Sequence, residues 1–518
     1  MVKSSDPIVL SKQHHLLTVL LALVGAIIIL LSTSRYGAGL SPDSVGYIAA
    51  ARNLIAGAGF IGYDGNPIVV WPPLYPAFLA LLSRTFGTDP LLLANVVNAL
   101  IFGLIVYVGG VLVFKHFSSF PALAVVGTLA ILFSRPLFAV SVMAWTEPLF
   151  ILFVLLCFIF SDSYLSKKDT TSLVLFSLSV ALASLTRYIG VALILWGAFI
   201  IAAFHRDRLK RKIAHLSLFT LISTFSLGIW LIRNYAISSS LFGHRGPSVF
   251  TLSQNLTYLF TTLLSWYIPR RIAERHSILM IVIAGLCLWV SLRLRSVWQG
   301  TKERLQPISP LLLFTSIYTA FLVISSTTTA YDPIDDRLLS PIYVPLTLIW
   351  LVLAQAFVDP YRKGFRTKSV KSFIVICIAI WFVYPMSYII VNAINLISFG
   401  RGYSGKAWRD SETIRYLLQH RALEAKCALY TNGPDATYIV AHIAAKMSPA
   451  KSKYNSPEMV DDVPRLIGSW PEEDNACLIW FDTIDRPYLF TVEELQAIAN
   501  MDRIARLRDG AIYSITRK

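Results

Sequence analysis

The sequence predicts a polytopic α-helical membrane protein with about eleven transmembrane helices and a small C-terminal soluble α/β domain. Hydrophobic residues make up 55% of the 518 residues and charged residues only 15%, with a mean hydropathy of +0.61, which is too apolar for a soluble globule of this length. From about residue 401 the long apolar runs stop, and short strand-like and helix-like segments replace them. We therefore divide the chain into a membrane domain, residues 1–400, and an extracytoplasmic α/β domain, residues 401–518.

Apolar stretches of roughly 20 residues, the length that crosses the hydrocarbon core, define the predicted spans. The first stretch, from about His15 to Ser32, is longer than the apolar region of a typical signal peptide, and no clear small-residue cleavage site follows it. We therefore predict an uncleaved first helix. The eleven predicted spans centre near Val24, Leu104, Val126, Val154, Leu178, Leu195, Ile222, Ile283, Thr315, Leu348 and Ile380.

The orientation of the spans follows from the basic residues, which lie in short tracts between the apolar runs. Lys167 and the tract at 206–212 can both be cytoplasmic only if two spans separate them, meeting at Thr186-Arg187-Tyr188. The same argument splits residues 121–160 around a turn at 135–148. All six basic tracts and the N-terminus then lie in the cytoplasm, and the C-terminal domain lies outside. We expect a multi-pass protein of the cell (inner or plasma) membrane.

The net charge of +16 would also suit a nucleic-acid partner, but the basic residues alternate with apolar runs, so we expect membrane lipids and no nucleic acid as partners. The five cysteines lack metal-ligand spacing. Cys427 and Cys477 lie on strand-like segments of the C-terminal domain, where a disulfide and two buried free thiols both fit the pattern. The sequence thus predicts neither a zinc site nor a dense disulfide framework.

The C-terminal domain alternates strand-like and helix-like segments, which is typical of a small, partly parallel sheet. The predicted helices cover 411–421, 435–446, 457–470 and 492–499, the predicted strands cover 427–431 and 476–481, and residues 503–516 form a hairpin that turns at Asp509-Gly510. No glycine-rich phosphate loop or catalytic-triad motif accompanies these elements, so we assign this domain no catalytic centre.

Unusual polar residues fall on the predicted extracytoplasmic side of the membrane. Asp43 follows the first span, and it either caps the helix that starts near Ser44 or presents a carboxylate that accepts a proton or orients an acceptor. Arg187 lies between two apolar halves, where an unpaired charge would cost several kcal/mol. It therefore either snorkels to the surface or faces a polar cavity.

Glu147 and Arg337 each have a simple local interpretation as well. Glu147 stands at the start of the fourth span, where it would complement the helix dipole, and Arg337 follows Asp335 and Asp336, with which it could pair inside one loop. These residues nevertheless come from separate stretches of the chain and map to one membrane face together with Asp43 and Arg187. We therefore predict a cavity that binds an anionic head group.

The membrane domain also contains six short motifs: Asp43-Ser44-x-x-Tyr47, Ala51-Arg52-Asn53-Leu54, Pro72-Pro73-Leu74-Tyr75-Pro76, Thr146-Glu147-Pro148-Leu149, Thr186-Arg187-Tyr188-x-Gly190 and Arg337-Leu338-Leu339-x-Pro341. As a group they resemble the GT-C glycosyltransferases, in the branch that holds protein O-mannosyltransferases, the lipid A aminoarabinose transferase and the Rgt-type sugar transferases. The resemblance covers most of residues 1–400 and implies a GT-C-like fold.

The resemblance implies an inverting hexosyl- or pentosyltransferase that moves a sugar from a polyprenyl-phosphate donor to a lipid, glycan or protein acceptor on the extracytoplasmic face. It implies that Asp43, which matches the acid after the first helix in this family, is the catalytic base or orients the acceptor. The residues expected at the donor phosphate or the substrate are Arg187, Arg337, Glu147, Tyr47, Arg52, Asp336 and Trp71. No cofactor is implied with certainty, and a divalent metal at Asp43 stays open.

Two motif positions depart from the aminoarabinose transferase, which has a Lys where Trp71 stands and an Asp-Glu pair where this chain has Asp43-Ser44. The donor-phosphate contacts and the acceptor therefore do not carry over. A transporter or flippase of a lipid-linked or anionic substrate is the main alternative, and a non-catalytic surface-binding protein is the second. We find no convincing internal repeat of the kind that transporters often show, and the polar residues gather at one face.

Overall fold

The computed structural model describes residues 11–118, 120–204, 208–275, 285, 295–358, 368–421, 423 and 426–518. Helices dominate up to residue 399. Their bounds are α1 (Lys12–Ser32), α2 (Pro42–Ile55), α3 (Leu74–Phe86), α4 (Pro90–His116), α5 (Pro121–Leu132), α6 (Arg135–Ser141), α7 (Glu147–Lys167), α8 (Thr170–Thr186), α9 (Val191–Phe204), α10 (Leu209–Ser238), α11 (Leu252–Ser265), α12 (Arg295–Thr328), α13 (Asp336–Leu339), α14 (Tyr343–Val358) and α15 (Lys368–Phe399).

The predicted spans coincide with apolar helices wherever the structure describes them. Among the described residues, eight helical stretches are long and apolar enough to cross a membrane, and two shorter apolar helices cover Thr170–Thr186 and Tyr188–Phe204. The splits predicted near residues 135–148 and at Arg187 are both present as helix ends. The span predicted near Ile283 lies outside the described residues. The helical membrane class is confirmed.

Small residues hold the first two long helices together. A Cβ atom at Gly103 of α4 would lie 3.0 Å from the Ala22 carbonyl oxygen of α1, and one at Gly110 would lie 2.6 Å from the Thr18 methyl carbon. Only glycine allows the two helices to approach this closely, because any larger side chain would separate them. The resulting pair forms part of the buried core.

The return from α8 to α9 depends on one glycine. Arg187 has an extended backbone (φ −148°, ψ 136°) directly after α8, and one 3₁₀ turn, Tyr188–Gly190, leads into α9. A Cβ atom at Gly190 would lie 2.6 Å from the Ser184 Cα atom, so the turn closes only with glycine. The break places the Arg187 side chain at the ends of two helices.

Helix α2 begins at the same end of the bundle, and its cap is Ser41. The Ser41 hydroxyl accepts the N–H of Ser44, and the Ser44 hydroxyl accepts the N–H of Ser41 at 3.1 Å, which forms a reciprocal capping box. Asp43 lies in the first turn and makes no cap. The interpretation of Asp43 as a helix cap is therefore wrong, and its carboxylate is available for a tertiary contact.

The C-terminal part contains a five-stranded sheet in the order β2-β1-β3-β5-β4. Strand β1 is parallel to β2 and β3, and β5 is antiparallel to β3 and β4, so the predicted partly parallel sheet and its terminal hairpin are confirmed. The elements are α16 (Lys406–Arg409), α17 (Glu412–Gln419), β1 (Ala428–Thr431), α18 (Pro434–Ala436), β2 (Lys446–Met447), α19 (Val463–Leu466), β3 (Ala476–Phe481), α20 (Val492–Ile498), β4 (Ala499–Leu507) and β5 (Gly510–Arg517).

Two helices predicted in this part are wrong. In residues 435–446 the helical structure is limited to the short α18 and a single π-helical turn, after which His442 adopts a left-handed conformation (φ 59°) and Lys446 begins β2. Residues 457–470 contain only the four-residue α19. In this second stretch Pro464 lacks a backbone N–H donor, and Gly468 has a positive φ of 74°. Both residues oppose a long helix there.

The two cysteines of the C-terminal part form a disulfide. The Cα atoms of Cys427 and Cys477 lie 5.8 Å apart, next to the parallel pairing of β1 with β3. Of the two alternatives that the sequence left open, the structure therefore has the bridge.

Main-chain and ionic contacts fix the sheet domain to the segment before α2. The Leu40 N–H donates to the Arg401 carbonyl at 3.2 Å, and the Tyr403 N–H donates to the Leu40 carbonyl at 3.0 Å. The Tyr403 hydroxyl then donates to the buried Asp435 carboxylate at 2.6 Å, and Arg486 binds both oxygens of that carboxylate at 2.7 and 2.9 Å. The start of α2 is thus connected directly to the C-terminal sheet.

Candidate active site

The candidate site is a cluster of two carboxylates and two guanidinium groups at one end of the helical bundle. Asp43 contributes from the first turn of α2, Glu147 from the start of α7, Arg187 from the break between α8 and α9, and Arg337 from α13. The structure therefore brings four of the predicted site residues into one network. Glu147 and Arg337 form its centre.

Glu147 is the most deeply buried member, because its side chain is 0% exposed. Its Oε1 atom accepts a hydrogen bond from Arg337 Nε at 2.5 Å and another from Arg187 Nη1. Two positive charges therefore share one buried carboxylate, which is far more than the complement to a helix dipole that the sequence suggested. A buried charge that is paired in this way orients both of its partners.

Arg187 binds through one end of its guanidinium group. Its Nη1 atom donates to Glu147 and also to the Thr146 hydroxyl at 2.9 Å. Within the part of the chain that the structure describes, its Nε and Nη2 atoms have no hydrogen-bond partner. The Arg187 side chain is 17% exposed, so these donors are largely shielded from bulk water. They can donate hydrogen bonds to a further anion.

Arg337 connects the two carboxylates. Its Nη2 atom donates to Asp43 Oδ2 at 2.6 Å, and its guanidinium group lies 4.6 Å from the centroid of the Trp145 ring. Trp145 in turn donates through Nε1 to the Ser41 hydroxyl at 2.7 Å. The cation–π contact with Trp145 favours the orientation in which Arg337 Nη2 faces Asp43.

The short helix α13 carries Arg337, and Asp335 caps it. The Asp335 carboxylate accepts the N–H groups of Arg337 at 3.0 Å and Leu338 at 3.2 Å. Burial raises the pKa of Asp335 to about 6. A simple loop ion pair would join the Arg337 side chain to Asp335 or Asp336. The guanidinium group binds Asp43 and Glu147 instead.

Asp336 has different partners from Arg337. Its carboxylate accepts from Arg135 at 3.0 Å and from Trp266 Nε1 at 2.8 Å. Arg135 is buried and also donates to the Ser265 carbonyl at 3.0 Å. The structure thus separates Asp336 from the four-residue cluster. Its contacts with Arg135 and Trp266 fix α13, and thereby position Arg337.

The aromatic rings of Tyr47 and Trp71 pack against each other near Asp43. The Tyr47 ring is buried and meets Trp71 edge to face with centroids 5.2 Å apart, and Trp71 covers Gly46, where a Cβ atom would lie 2.5 Å from the indole ring. Burial raises the pKa of Tyr47, and the nearby negative charge of Asp43 raises it further. Tyr47 therefore stays protonated at neutral pH, and the two rings border the cluster.

Arg52 lies apart from the cluster, at the other end of α2. It forms a two-point ion pair with Asp89, the N-cap of α4, at 2.9 and 3.1 Å, and its guanidinium group lies 5.9 Å from the Tyr438 ring of the C-terminal part. These contacts connect α2, α4 and the sheet domain. The structure does not bring Arg52 together with Asp43.

The carboxylates of the cluster do not fit a divalent metal. Asp43 and Glu147 both direct an oxygen at Arg337, at 2.6 and 2.5 Å, so the guanidinium group takes the position between them. Among the described residues, no group of three or more His, Cys, Asp or Glu side chains is arranged to hold a metal ion. We derive no step through a metal.

Sequence reasoning missed three residues that shape this site: Trp145, Arg135 and Asp332. Trp145 directly precedes the Thr146-Glu147 motif, and Arg135 falls in the turn predicted to lie outside, so both had a positional signal. Asp332 lies in a polar loop and had no such signal in the sequence. Its distance of 3.9 Å to Arg337 Nη1 arises only from the fold.

The fold is similar to that of several solved structures, including those of ArnT, AglB and AftD. ArnT from Cupriavidus metallidurans bound to undecaprenyl phosphate has a TM-score of 0.60 and 16% identity, over 96% of this chain and 97% of that chain. AglB from Archaeoglobus fulgidus, in complex with an inhibitory peptide and a dolichol-phosphate, has a TM-score of 0.51 and 13% identity, over 90% and 69%. The arabinofuranosyltransferase AftD from Mycobacteria has a TM-score of 0.50 and 14% identity, over 99% and 42%.

The chain therefore has the GT-C fold, as its motifs predicted. No family model matches the sequence, and no curated protein matches it. At identities of 13–16% these similarities establish the fold.

Proposed function

We propose that the protein is an integral membrane glycosyltransferase that transfers a sugar from a polyprenyl-phosphate donor to a lipid, glycan or protein acceptor on the extracytoplasmic face. The observation that carries this proposal is the single cluster formed by Asp43, Glu147, Arg187 and Arg337 at one end of an apolar helical bundle. The similarity in fold to ArnT bound to undecaprenyl phosphate and to AglB bound to dolichol-phosphate supports it.

The arginines would bind the donor phosphate. A polyprenyl tail is soluble in the bilayer, so a sugar phosphate attached to it arrives at the membrane face, where Arg187 and Arg337 lie. Arg187 offers Nε and Nη2, and Arg337 offers Nη1, which lies 3.9 Å from Asp332 Oδ2. Because Glu147 and Trp145 already fix both guanidinium groups, little reorganisation is needed when the phosphate binds.

Asp43 would act on the acceptor. In the proposed step an acceptor hydroxyl oxygen forms a bond to the anomeric carbon while the bond from that carbon to the phosphate oxygen breaks, and the electron pair leaves with the polyprenyl phosphate. The hydroxyl proton passes to the Asp43 carboxylate. The arginines stabilise the charge that develops on the leaving phosphate. Attack from the face opposite the phosphate inverts the anomeric centre.

A transfer assay tests this proposal most directly. Purified protein in lipid nanodiscs is incubated with a panel of polyprenyl-phosphate sugars and membrane extracts as acceptor, and labelled product is separated from donor. We expect transfer from at least one donor and release of free polyprenyl phosphate. Movement of the donor across sealed vesicles without cleavage would instead indicate a flippase and contradict the proposal.

Removing either arginine should weaken use of the donor. We expect Arg187→Ala and Arg337→Ala each to lower kcat/KM for the donor by about 10- to 100-fold, since each loses a charged hydrogen bond worth roughly 1.5–3 kcal/mol. Arg187→Lys should recover only part of the loss, because a point charge replaces a planar fork. Arg270→Ala is the control, as Arg270 is exposed and paired with Glu274. Wild-type kinetics in both alanine variants would refute the phosphate assignment.

We also propose that residues 1–400 form the membrane domain of a cell-membrane protein whose N-terminus is cytoplasmic, and that residues 401–518 lie outside. The Cys427–Cys477 disulfide supports this orientation, because disulfides persist in oxidising compartments. A membrane-impermeant maleimide added to intact cells should therefore label Glu493→Cys but not Lys210→Cys, and both should react after permeabilisation. Both positions are exposed, and wild type is the background control. The reverse labelling would overturn the orientation.

A further inference from the structure

The C-terminal domain extends a hairpin toward the candidate site. In residues 448–460, which we call the finger, the Lys453 N–H donates to the Glu458 carbonyl at 2.9 Å and the Val460 N–H donates to the Lys451 carbonyl at 2.9 Å. An ion pair between Lys453 and Glu458 at 2.6 Å closes the hairpin, and its tip is Asn455 in a left-handed conformation (φ 48°). The finger is thus a defined element that the sequence analysis mistook in part for a helix.

The tip of the finger contacts two loops of the membrane domain. Asn455 Nδ2 donates to the Tyr331 carbonyl at 3.1 Å, and the Asn455 carbonyl accepts the Val249 N–H at 3.3 Å. Ser456 packs on Gly246 so closely that a Cβ atom there would lie 2.7 Å from the Ser456 Cβ atom. The loop that contains Tyr331 leads directly into α13 and Arg337.

Tyr454 extends this contact to the cluster itself. Its hydroxyl donates to Asp332 Oδ1, and the other oxygen of that carboxylate, Oδ2, lies 3.9 Å from Arg337 Nη1. The ring packs edge to face on Tyr488 with centroids 5.5 Å apart. Burial of the hydroxyl, together with the charges of Asp332 and Asp43, raises the pKa of Tyr454, so the phenol remains a hydrogen-bond donor at neutral pH.

We propose that Tyr454 is a positioning residue that the C-terminal domain contributes to the donor-phosphate site, acting through Asp332 on Arg337. This inference rests on the proposed function. By binding Oδ1, Tyr454 holds the Asp332 carboxylate beyond hydrogen-bond distance of Arg337 Nη1, the donor that is left for a phosphate. Without the phenol hydroxyl, Asp332 is free to rotate onto Nη1 and compete with the phosphate for it.

This role predicts an unusual pattern among variants. Tyr454→Phe should weaken binding of undecaprenyl phosphate about three- to tenfold, since one hydrogen bond to a half-exposed carboxylate is lost. Asp332→Asn removes the competing charge, so it should bind undecaprenyl phosphate at least as tightly as wild type. The double variant should resemble Asp332→Asn, because Tyr454 has nothing left to restrain.

The experiment measures the affinity of full-length protein in nanodiscs for undecaprenyl phosphate, with thermal stability as the check on folding. Tyr416→Phe is the matched control, because its ring stacks on His420 in the same domain, away from the finger. In the transfer assay, Tyr454→Phe should raise the donor KM and leave kcat unchanged. A purely structural role of Tyr454 would not raise the donor KM while leaving kcat unchanged. It would also not lose its effect on KM in the Asp332→Asn background.

Each other outcome overturns the inference. If wild type binds undecaprenyl phosphate and Tyr454→Phe binds it equally well, Tyr454 has no positioning role while the proposed function stands. If the double variant is as weak as Tyr454→Phe, or Asp332→Asn alone weakens binding, the effect does not pass through release of Asp332. If wild type neither binds undecaprenyl phosphate nor transfers sugar, the proposed function fails and this inference fails with it.

Discussion

Asp43→Asn is expected to lower sugar transfer by roughly 10²- to 10⁴-fold, the usual contribution of a positioned general base. The substitution keeps the shape of the side chain and one oxygen that can accept from Arg337, but it removes the group that takes the acceptor proton. Because Ser41, and not Asp43, caps α2, the change should have little effect on the helix itself. Initial rates with saturating donor, in membranes with matched expression, measure the loss.

The control for this variant is Asp64→Asn, in the exposed turn between α2 and α3, which should transfer sugar at the wild-type rate. An acceptor that is already an anion, such as a lipid phosphate, needs no base, and Asp43 would then only orient it. The assay is therefore run with hydroxyl acceptors, and parallel reactions with and without added divalent metal check that no metal acts at Asp43. Near-normal turnover in all of these conditions would remove Asp43 from the mechanism.

Glu147→Gln is expected to cost about 3–5 kcal/mol of stability, the penalty for breaking a buried ion pair from one side. The side chain is 0% exposed and is paired with both Arg187 and Arg337, so the amide leaves Arg187 without its carboxylate partner and Arg337 with Asp43 as its remaining close partner. We expect a clearly lower melting temperature in detergent and little or no transfer activity. The free energy at stake is large because water cannot replace the missing carboxylate.

A surface pair provides the comparison for Glu147. Asp482→Asn breaks an exposed ion pair with Arg506 and should change stability by about 0–1 kcal/mol. Combining Glu147→Gln with Arg187→Gln should recover part of the melting temperature, because one unpaired cation is removed, without restoring activity. If Glu147→Gln melts like wild type, the carboxylate is not the counter-charge of the two arginines.

The membrane architecture could be predicted because its physical cause is local. A run of about 20 apolar residues crosses the bilayer whatever surrounds it, and basic tracts orient helices one loop at a time. The breaks at residues 135–148 and at Arg187 followed from the same rule, and apolar helices end in both places. The hairpin of β4 and β5 was also local, since Asp509-Gly510 supplies its turn.

The helices that failed show the limit of that reasoning. Residues 457–470 have only a weak preference for a helix, because Pro464 and Gly468 interrupt the stretch, and part of it forms the finger, whose tip contacts Val249 and Tyr331. In residues 435–446, the Asp435 carboxylate binds Tyr403 and Arg486, and these contacts fix the start of the stretch. Tertiary contacts overrode weak local preferences in both places.

The candidate site divides in the same way between sequence and fold. By itself the sequence determined that Asp43, Glu147, Arg187 and Arg337 occur at one predicted membrane face, because each follows or precedes an apolar run. Only the tertiary structure decided which charge meets which. Arg337 lies 294 residues from Asp43 and 190 from Glu147, and its neighbour Asp336 turns to Arg135 instead. Ion pairs depend on distances of a few ångströms, which chain order does not encode until the helices pack.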